Sequence, residues 1–149
     1  MKEKIPLPNE SQSHDSHYAE FEGKSIDVYK LIRLAEDVEA IKTPTKNFED
    51  HLSNHYWHDS HGDWLGPQDI IDVCDGVANP QALTEDESYD SGLREHLKRV
   101  LDSDYTEYPI ITIKGVVVDG MHRLTKAVID GVDSIAVKDF AELPDCEPR

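Results

Sequence analysis

The sequence predicts an α+β fold, a single domain in which helices surround a small mixed β-sheet. Apolar residues recur at helical spacing in the first two thirds of the chain, as at Leu93, Leu97 and Val100. β-branched runs follow in the last third, at residues 108–113 and 116–118. The chain of 149 residues is long enough for one core, because a domain usually holds roughly 100–200 residues.

The first part of the chain predicts an arm, a helix and a strand. Residues 1–22 are polar and without periodicity, so we expect a flexible arm before a single domain at residues 23–149. Ser25 is the expected N-cap of a first helix that extends to about residue 36. The buried face of this helix is predicted to hold Val28, Leu31, Ile32 and Ala35. Residues 38–42 predict a short strand, which ends before Pro44 because proline lacks the ladder donor.

The middle of the chain predicts three helices. The first covers residues 47–57, with Phe48, Leu52 and Tyr56 four residues apart. Pro67 suits the first position of the second helix, and Asp69 is favourable in its first turn. We expect residues 78–90 to form an acidic loop, and Ser91 to cap the third helix.

The last third predicts a hairpin, a helix and a further strand. Lys114-Gly115 separates the two β-branched runs and is typical of a tight hairpin turn. A helix is expected from Gly120 to about Asp130, with Gly131 as its C-terminal stop. Residues 134–137 predict another strand. This order of strand, strand, helix and strand is the basis for expecting a mixed sheet.

The net charge of the chain excludes duplex DNA binding as a function, and its cysteine content and apolar runs favour a cytoplasmic location. The formal net charge is -16, which opposes duplex DNA binding because non-specific affinity comes from Lys and Arg that displace counterions. Cys74 and Cys146 are far apart, so the sequence has no CxxC pair for zinc or redox chemistry. No apolar run is long enough to span a bilayer, and the N-terminus has no apolar signal-peptide core. We therefore expect a cytoplasmic protein without a membrane or duplex nucleic acid partner.

The turn Asp119-Gly120-Met121-His122-Arg123, here the DGMHR turn, opens the last helix. If Leu124, Ala127 and Val128 form the buried face, then His122, Arg123 and Lys126 are expected on the opposite face. Cations in the first turns of a helix are unfavourable, because that end already carries about half a positive charge. In a chain of charge -16, this arrangement indicates a bound anion.

A phosphate group would resolve this electrostatic conflict. Three features would bind it jointly: the free N–H groups of the first turn, the close approach that glycine allows and the planar fork of arginine. The predicted phosphate-binding residues are Gly120, Met121, His122, Arg123 and Lys126. The alternative is that Asp119 caps the helix and the cations pair with carboxylates. Under the phosphate hypothesis, removing Arg123 should leave the ligand-free fold intact, whereas under the alternative it should destabilise it.

The segment VVVDGMHRLTKAVIDG, residues 116–131, preceded by YPIITIKG, resembles the second conserved box of ParB-like N-terminal domains. The same turn is found in sulfiredoxins and in ParB-like free serine kinases. The resemblance implies a ParB/sulfiredoxin-like fold in which Gly120, His122 and Arg123 contact nucleotide phosphates and Asp119 faces a metal or the substrate. It gives Asp119, His122 and Arg123 as the catalytic residues and Mg²⁺ with a nucleotide as the cofactor.

The chain departs from this family at two points. Sulfiredoxins have a nucleophilic cysteine where this chain has Met121, so we expect no sulfinic acid repair. The chain ends within ten residues of Phe140, where ParB proteins continue into a helix-turn-helix domain, so we expect no centromere binding. The expected function is binding of a nucleotide or phosphorylated small molecule, with phosphotransfer or phosphate hydrolysis as its catalytic form. The alternative is a non-catalytic protein-interaction module with an acidic surface.

The remaining candidate residues are histidines and carboxylates. Four of the eight histidines lie at His51, His55, His58 and His61. They could bind Zn²⁺ with Asp59 or Asp63, line a ligand pocket beside Trp57 and Trp64, or be structural. We expect no metal site, because no set of four ligands has an established spacing. The resemblance to the kinases also suggests an activating carboxylate among Glu36, Asp37 and Glu39.

Overall fold

The computed structural model describes residues 18–145. Its strands and helices are, in chain order, β1 (Tyr18–Phe21), β2 (Lys24–Asp27), α1 (Val28–Leu34), β3 (Ile41–Pro44), α2 (Glu49–Leu52), β4 (Trp57–His58), β5 (Trp64–Leu65), α3 (Pro67–Cys74), α4 (Ser91–Asp102), β6 (Ile110–Ile113), β7 (Val116–Asp119), α5 (Met121–Asp130) and β8 (Ser134–Phe140). Short 3₁₀ turns lie at Ala35–Asp37, Thr45–Phe48 and Pro80–Glu85.

The main sheet has four strands in the order β3-β8-β6-β7. β8 is antiparallel to β3 and parallel to β6, whereas β6 and β7 form an antiparallel hairpin. The sheet is therefore mixed, with α5 as the connection between β7 and β8. Two further pairs, β1-β2 and β4-β5, form separate hairpins. This architecture confirms the predicted α+β class.

The core has three clusters, and the alternation of β6 explains the first two. Ile111 and Ile113 pack on one sheet face with α1 and the β1-β2 hairpin, whereas Ile110 packs on the other face with α5. A third cluster joins α3, α4 and the β4-β5 hairpin around Ile70 and Leu97. Met121 contacts both the second and the third clusters. α5 therefore lies between the sheet and the α3–α4 layer, and it buries more than one of its faces.

The N-terminal part of the chain differs from the predictions. β1 lies inside the predicted arm, whose residues 1–17 lie outside the described part of the chain. The N-cap of α1 is Asp27, whose Oδ1 accepts from the N–H groups of Tyr29 and Lys30, so the prediction of Ser25 was wrong. Ser25 lies in β2. Ser25 pairs with Glu20 of β1, so the chain is still extended at Ser25 and the helix begins after Asp27.

The helix predicted for residues 47–57 is also wrong. A 3₁₀ turn and the four-residue helix α2 end at Leu52, and Trp57 lies in β4. Of the three residues on which the prediction depended, only Phe48 is buried. The strand predicted at 38–42 begins at Ile41 and includes Pro44, which is tolerated because β3 is an edge strand.

The later elements agree more closely with the sequence. In α3, Pro67 is the first residue, and Asp69 Oδ2 accepts from the N–H of Gly66 at 2.8 Å. α4 begins one residue earlier than predicted. Asp90, not Ser91, is its N-cap, and Ser91 is the first helical residue. The β6-β7 hairpin, α5 and its stop at Gly131, a left-handed residue, are confirmed. β8 extends to Phe140, beyond the predicted end at 137.

Candidate functional site

The glycine of the DGMHR turn is required by the fold itself. Gly120 joins β7 to α5 with a φ of 108°, which side chains rarely tolerate. A Cβ at this position would lie 2.7 Å from Ile110 Cγ2 and 3.1 Å from Arg123 Nη2. Gly120 is buried, and the absence of a side chain allows Ile110 to pack closely against it. Its predicted contact with a phosphate stays a prediction.

Arg123 and Asp119 form a buried ion pair across the turn. Arg123 Nη2 donates to Asp119 Oδ2 at 2.8 Å, and each side chain is only 6% exposed. Arg123 Nη1 donates to the main-chain carbonyls of Tyr108 and Pro109, both at 3.0 Å. Among the described residues, Arg123 Nε has no partner although it is buried. Both terminal nitrogens of the guanidinium therefore serve the junction between β6, β7 and α5.

His122 and Arg123 were expected on the face opposite the buried one, yet both are themselves buried. The cause is the position of α5 between the sheet and the α3–α4 layer, which covers two sides of the helix. Asp119 also offsets the unfavourable position of Arg123 near the positive end of the helix. Spacing of Asp119 and Arg123 by four residues was the sequence signal that could have indicated this pair.

Lys126 and Met121 are directed to different neighbours. Lys126 Nζ lies 3.3 Å from Asp130 Oδ2 and 6.0 Å from the ring centre of Tyr105. Met121 is half-buried and belongs to the packing of the core. The five predicted phosphate-binding residues are therefore close in the chain, but their side chains do not converge on one point.

His122 instead belongs to an aromatic cluster with Trp57 and His96. The ring centre of Trp57 lies 4.6 Å from that of His122, at 4° between planes, and 4.9 Å from that of His96, at 15°. The two imidazole centres are only 5.5 Å apart, so both rings lie on the same face of the indole. His96 Nδ1 and His122 Nε2 are 3.3 Å apart and share a hydrogen bond. Burial, with a smaller contribution from His58, lowers the pKa of His96 to about 4.

A cavity of about 700 Å³ lies beside Trp57 and His96 of this cluster, between β4 and the first turns of α4. We call it the α4 cavity. Trp57 and His96 form part of its wall, together with Tyr56. Its charged side chains are two cations, Arg94 and Lys98, and two carboxylates, Asp59 and Glu95, and its wall also holds the imidazoles of His58 and His96. In a chain with 31 acidic and 15 basic residues, this is a locally balanced surface.

Asp90 fixes one edge of the α4 cavity. Its Oδ2 caps α4 by accepting from the N–H groups of Gly92 and Leu93, and it also accepts from the N–H of Ser60. Its Oδ1 accepts from the hydroxyl of Ser60. Hydrogen bonds from Ser60, above all, lower the pKa of Asp90 to about 2. One carboxylate thus starts the helix and holds the β4-β5 hairpin against it.

Arg94 is the cation of the cavity with the most unused hydrogen-bonding capacity. Its Nε donates to the carbonyl of Tyr89 at 3.0 Å, and its terminal nitrogens make no hydrogen bond or ion pair within the described part of the chain. Lys98, in contrast, pairs with Asp102 at 2.9 Å. Arg94 was not among the predicted site residues. The placement of Arg94 and Lys98 four residues apart on one face of a helix was the available signal.

The remaining candidates are distributed over the molecule. His58 lines the α4 cavity, as the pocket hypothesis for the histidine segment expected, whereas His51 lies on α2. Glu36, Asp37 and Glu39 are exposed near the end of α1 and are not part of the cavity wall. Within residues 18–145, no group of three or more His, Cys, Asp or Glu side chains is arranged to hold a metal ion.

Comparison of the chain with models of known protein families, with curated proteins and with solved structures finds no match. None of the described helices has the length and apolar character needed to cross a membrane. The resemblance of residues 116–131 to ParB-like domains therefore remains a hypothesis that rests on those residues alone.

Proposed function

We propose that the protein binds a nucleotide or another phosphorylated small molecule, and that the phosphate lies in the α4 cavity. The observation that carries this proposal is the cavity wall, which contains Arg94 and Lys98 together with the rings of Trp57 and His96. Ligand pockets usually measure about 300–1,000 Å³ and combine aromatic walls with a few polar groups. The α4 cavity, at about 700 Å³, has this size and this chemistry.

The charges support an anionic ligand. Arginine binds phosphate through a planar fork of N–H donors, and the terminal nitrogens of Arg94 make no hydrogen bond or ion pair with the described residues. Ser91 and Gly92, the first residues of α4, also line the cavity, but the N–H groups of Gly92 and Leu93 already donate to Asp90 Oδ2. The unused donors of Arg94 are therefore the feature that favours a phosphate in this position.

The geometry favours the α4 cavity over the DGMHR turn as the place of direct phosphate contact. A phosphate that bound the terminal nitrogens of Arg123 would have to replace Asp119 or the carbonyls of Tyr108 and Pro109. Loss of such partners for a buried charge costs several kcal/mol, of order 3–5. His122 connects the two regions, because it stacks on Trp57 and hydrogen bonds to His96 at the cavity wall.

Phosphotransfer or phosphate hydrolysis with Mg²⁺ is the catalytic form of this proposal. Magnesium commonly binds through one or two carboxylates together with the phosphates of a nucleotide. Asp59 and Glu95 are the carboxylates of the cavity wall that could supply those protein ligands. We propose that the metal would enter with the nucleotide, and that Arg94 would stabilise the charge on the transferred phosphoryl group.

A thermal-shift screen tests the proposal. ATP, ADP and inorganic pyrophosphate, each with and without Mg²⁺, should raise the melting temperature of the wild type, because a ligand of the native state stabilises it. Arg94→Ala should weaken binding about ten-fold or more, since a hydrogen bond to a charged group contributes about 1.5–3 kcal/mol. Arg33→Ala, at the exposed end of α1, is the matched control and should bind as the wild type does. No shift of the wild type with any of these ligands would contradict the proposal.

The second candidate is the non-catalytic interaction module. Its support is the net charge of -16 and a few exposed apolar side chains, among which Ile41 is 61% and Trp64 is 59% exposed. Single exposed apolar residues are normal on monomeric proteins, so they indicate a partner only weakly. A protein that keeps its melting temperature with every phosphate ligand would favour this candidate.

A further inference from the structure

A second cavity, of about 600 Å³, lies where α3 and α5 end, and we call it the α3–α5 cavity. Ile71 and Cys74 of α3, Val128 and Ile129 of α5, and the loop at residues 75–80 supply its wall. None of the described residues that line it also lines the α4 cavity. The two cavities are therefore separate sites on the molecule.

Most of the wall of the α3–α5 cavity is apolar. Ile71, Val77, Val128 and Ile129 are only half-buried, so part of their apolar surface is left uncovered. Burial raises the pKa of the Cys74 thiol, which therefore stays uncharged at neutral pH. A hydrocarbon group in the cavity would remove this surface from water, which is favourable roughly in proportion to the area covered.

The charged groups of the same wall are all negative. Asp75, the C-cap of α3, and Asp130, the last residue of α5, line the cavity, and no Lys, Arg or His is among its described lining residues. Both helices end here, and a helix C-terminus carries about half a negative charge. The N–H groups of Gly131 and Val132 already bond to carbonyls of α5, so that helix end acts through its field.

Asp75 is the carboxylate of the wall that has no partner of its own. Its side chain makes no hydrogen bond or ion pair within residues 18–145. Asp130 Oδ2, in contrast, accepts from the hydroxyl of Tyr105 at 2.7 Å and lies 3.3 Å from Lys126 Nζ. A positive group in the cavity would therefore meet Asp75 directly, whereas the charge of Asp130 is partly offset by Lys126.

We propose that the α3–α5 cavity binds an organic cation with a hydrocarbon body, such as a primary alkylamine, with its ammonium group at Asp75 and its chain against the apolar wall. Complementarity of charge commits the cavity to this class of ligand. An alkyl carboxylate of the same shape would be repelled by both aspartates, and a neutral alcohol would gain nothing from them. This inference is independent of the proposed function, because the two sites share no residue.

Three ligands with the same hydrocarbon chain test the role of charge. n-Hexylammonium, n-hexanol and n-hexanoate are titrated into the ¹⁵N-labelled wild type at pH 7 and low ionic strength. n-Hexylammonium should bind about two- to five-fold more tightly than n-hexanol, the range for an ion pair at an exposed carboxylate, and n-hexanoate should bind most weakly. The largest changes in amide shift should occur at Gly76, Ala78 and Ile129. Equal affinities for the amine and the alcohol, or changes located elsewhere, would overturn the proposal.

The length of the chain tests the apolar wall. From n-butylammonium to n-hexylammonium, each added methylene should tighten binding by up to about four-fold, because its transfer out of water is favourable. An affinity that does not rise with chain length would show that the acidic surface attracts only the ammonium group, and the cavity would not be the site.

A pair of variants tests the contact with Asp75. Asp75→Asn keeps the shape of the side chain and removes its charge, so most of the difference in affinity between n-hexylammonium and n-hexanol should disappear. Asp72→Asn is the matched control, because it removes the same charge from an exposed residue of α3 that does not line the cavity. This control should bind as the wild type does. An equal loss in both variants, or no loss in Asp75→Asn, would overturn the assignment of the cation to this cavity.

Discussion

At the scale of single residues, the buried pair of Asp119 and Arg123 is the contact with the largest expected effect on stability. Arg123→Ala should lower the free energy of unfolding of the ligand-free protein by about 3–5 kcal/mol, because the mutation leaves a buried carboxylate without its partner. Chemical denaturation measures this directly. The sequence alone favoured the opposite result, an intact or slightly stabilised mutant, whereas the geometry is that of a structural ion pair.

A double variant provides the control for this prediction. Asp119→Asn combined with Arg123→Leu removes both charges, so it should be more stable than Arg123→Ala alone. An Arg123→Ala protein with wild-type stability would show that the ion pair does not stabilise the fold. Arg123 would then again be a candidate for direct phosphate contact.

His96 predicts a dependence of stability on pH. Burial lowers its pKa in the folded protein to about 4, from an ordinary value of 6.5, so the unfolded chain binds the proton more tightly. Stability should therefore fall as the pH falls from about 6.5 to 4, by on the order of 3 kcal/mol for this group. His96→Phe keeps an aromatic ring beside Trp57 and removes the titration. Between pH 7.5 and pH 4.5, the melting temperature of this variant should fall less steeply with pH than that of the wild type. Equal slopes for the two proteins would contradict the assignment.

At the scale of elements, the contact between α4 and the β4-β5 hairpin depends on Gly92. A Cβ at this position would lie 2.6 Å from the N of Ser60 and 2.7 Å from the main chain of Asp59. Gly92→Ala should thus separate the hairpin from the helix and lower the melting temperature, even though alanine favours a helix over glycine by about 1 kcal/mol. Ser91→Ala, at the neighbouring exposed position, is the control and should not destabilise. A Gly92→Ala protein that melts higher than the wild type would refute this packing.

The elements also show what the sequence could predict. The unit from β6 to α5 was predicted because its signals are local: β-branched runs, a two-residue turn and Gly131 as a stop. The helix expected at 47–57 failed because its four-residue spacing did not reflect burial. Trp57 is buried by His96 and His122, which lie far along the chain, and no local pattern contains that information.

At the scale of the whole molecule, the net charge gives a negative prediction. At physiological ionic strength, about 150 mM salt, the protein should not bind random duplex DNA, because -16 opposes the release of counterions from which such affinity comes. An electrophoretic mobility-shift assay checks this. A sub-micromolar complex would contradict it and would show that a local cationic surface, such as that of Arg94 and Lys98, dominates the total charge.

The candidate site was only partly predictable for the same reason that the fold was. The DGMHR turn is continuous in sequence, so it could be recognised, yet its buried ion pair depends on the layer of helices that covers α5. The α4 cavity is assembled from three separate segments of the chain, which are residues 56–60, Thr84 and residues 91–98. The hypothesis that histidines line a pocket beside Trp57 identified His58, whereas Arg94 required the assembled structure.

Mapping of ligand contacts by ¹H–¹⁵N NMR tests the central claim most directly. During titration with ADP and Mg²⁺, the largest changes in amide chemical shift should occur at the residues that line the α4 cavity, first at Ser91, Gly92 and Arg94. Changes that are largest at Met121 and Arg123, with little effect on α4, would place the phosphate at the DGMHR turn. That result, or a spectrum that ADP does not change, would contradict binding of a phosphorylated ligand in the α4 cavity.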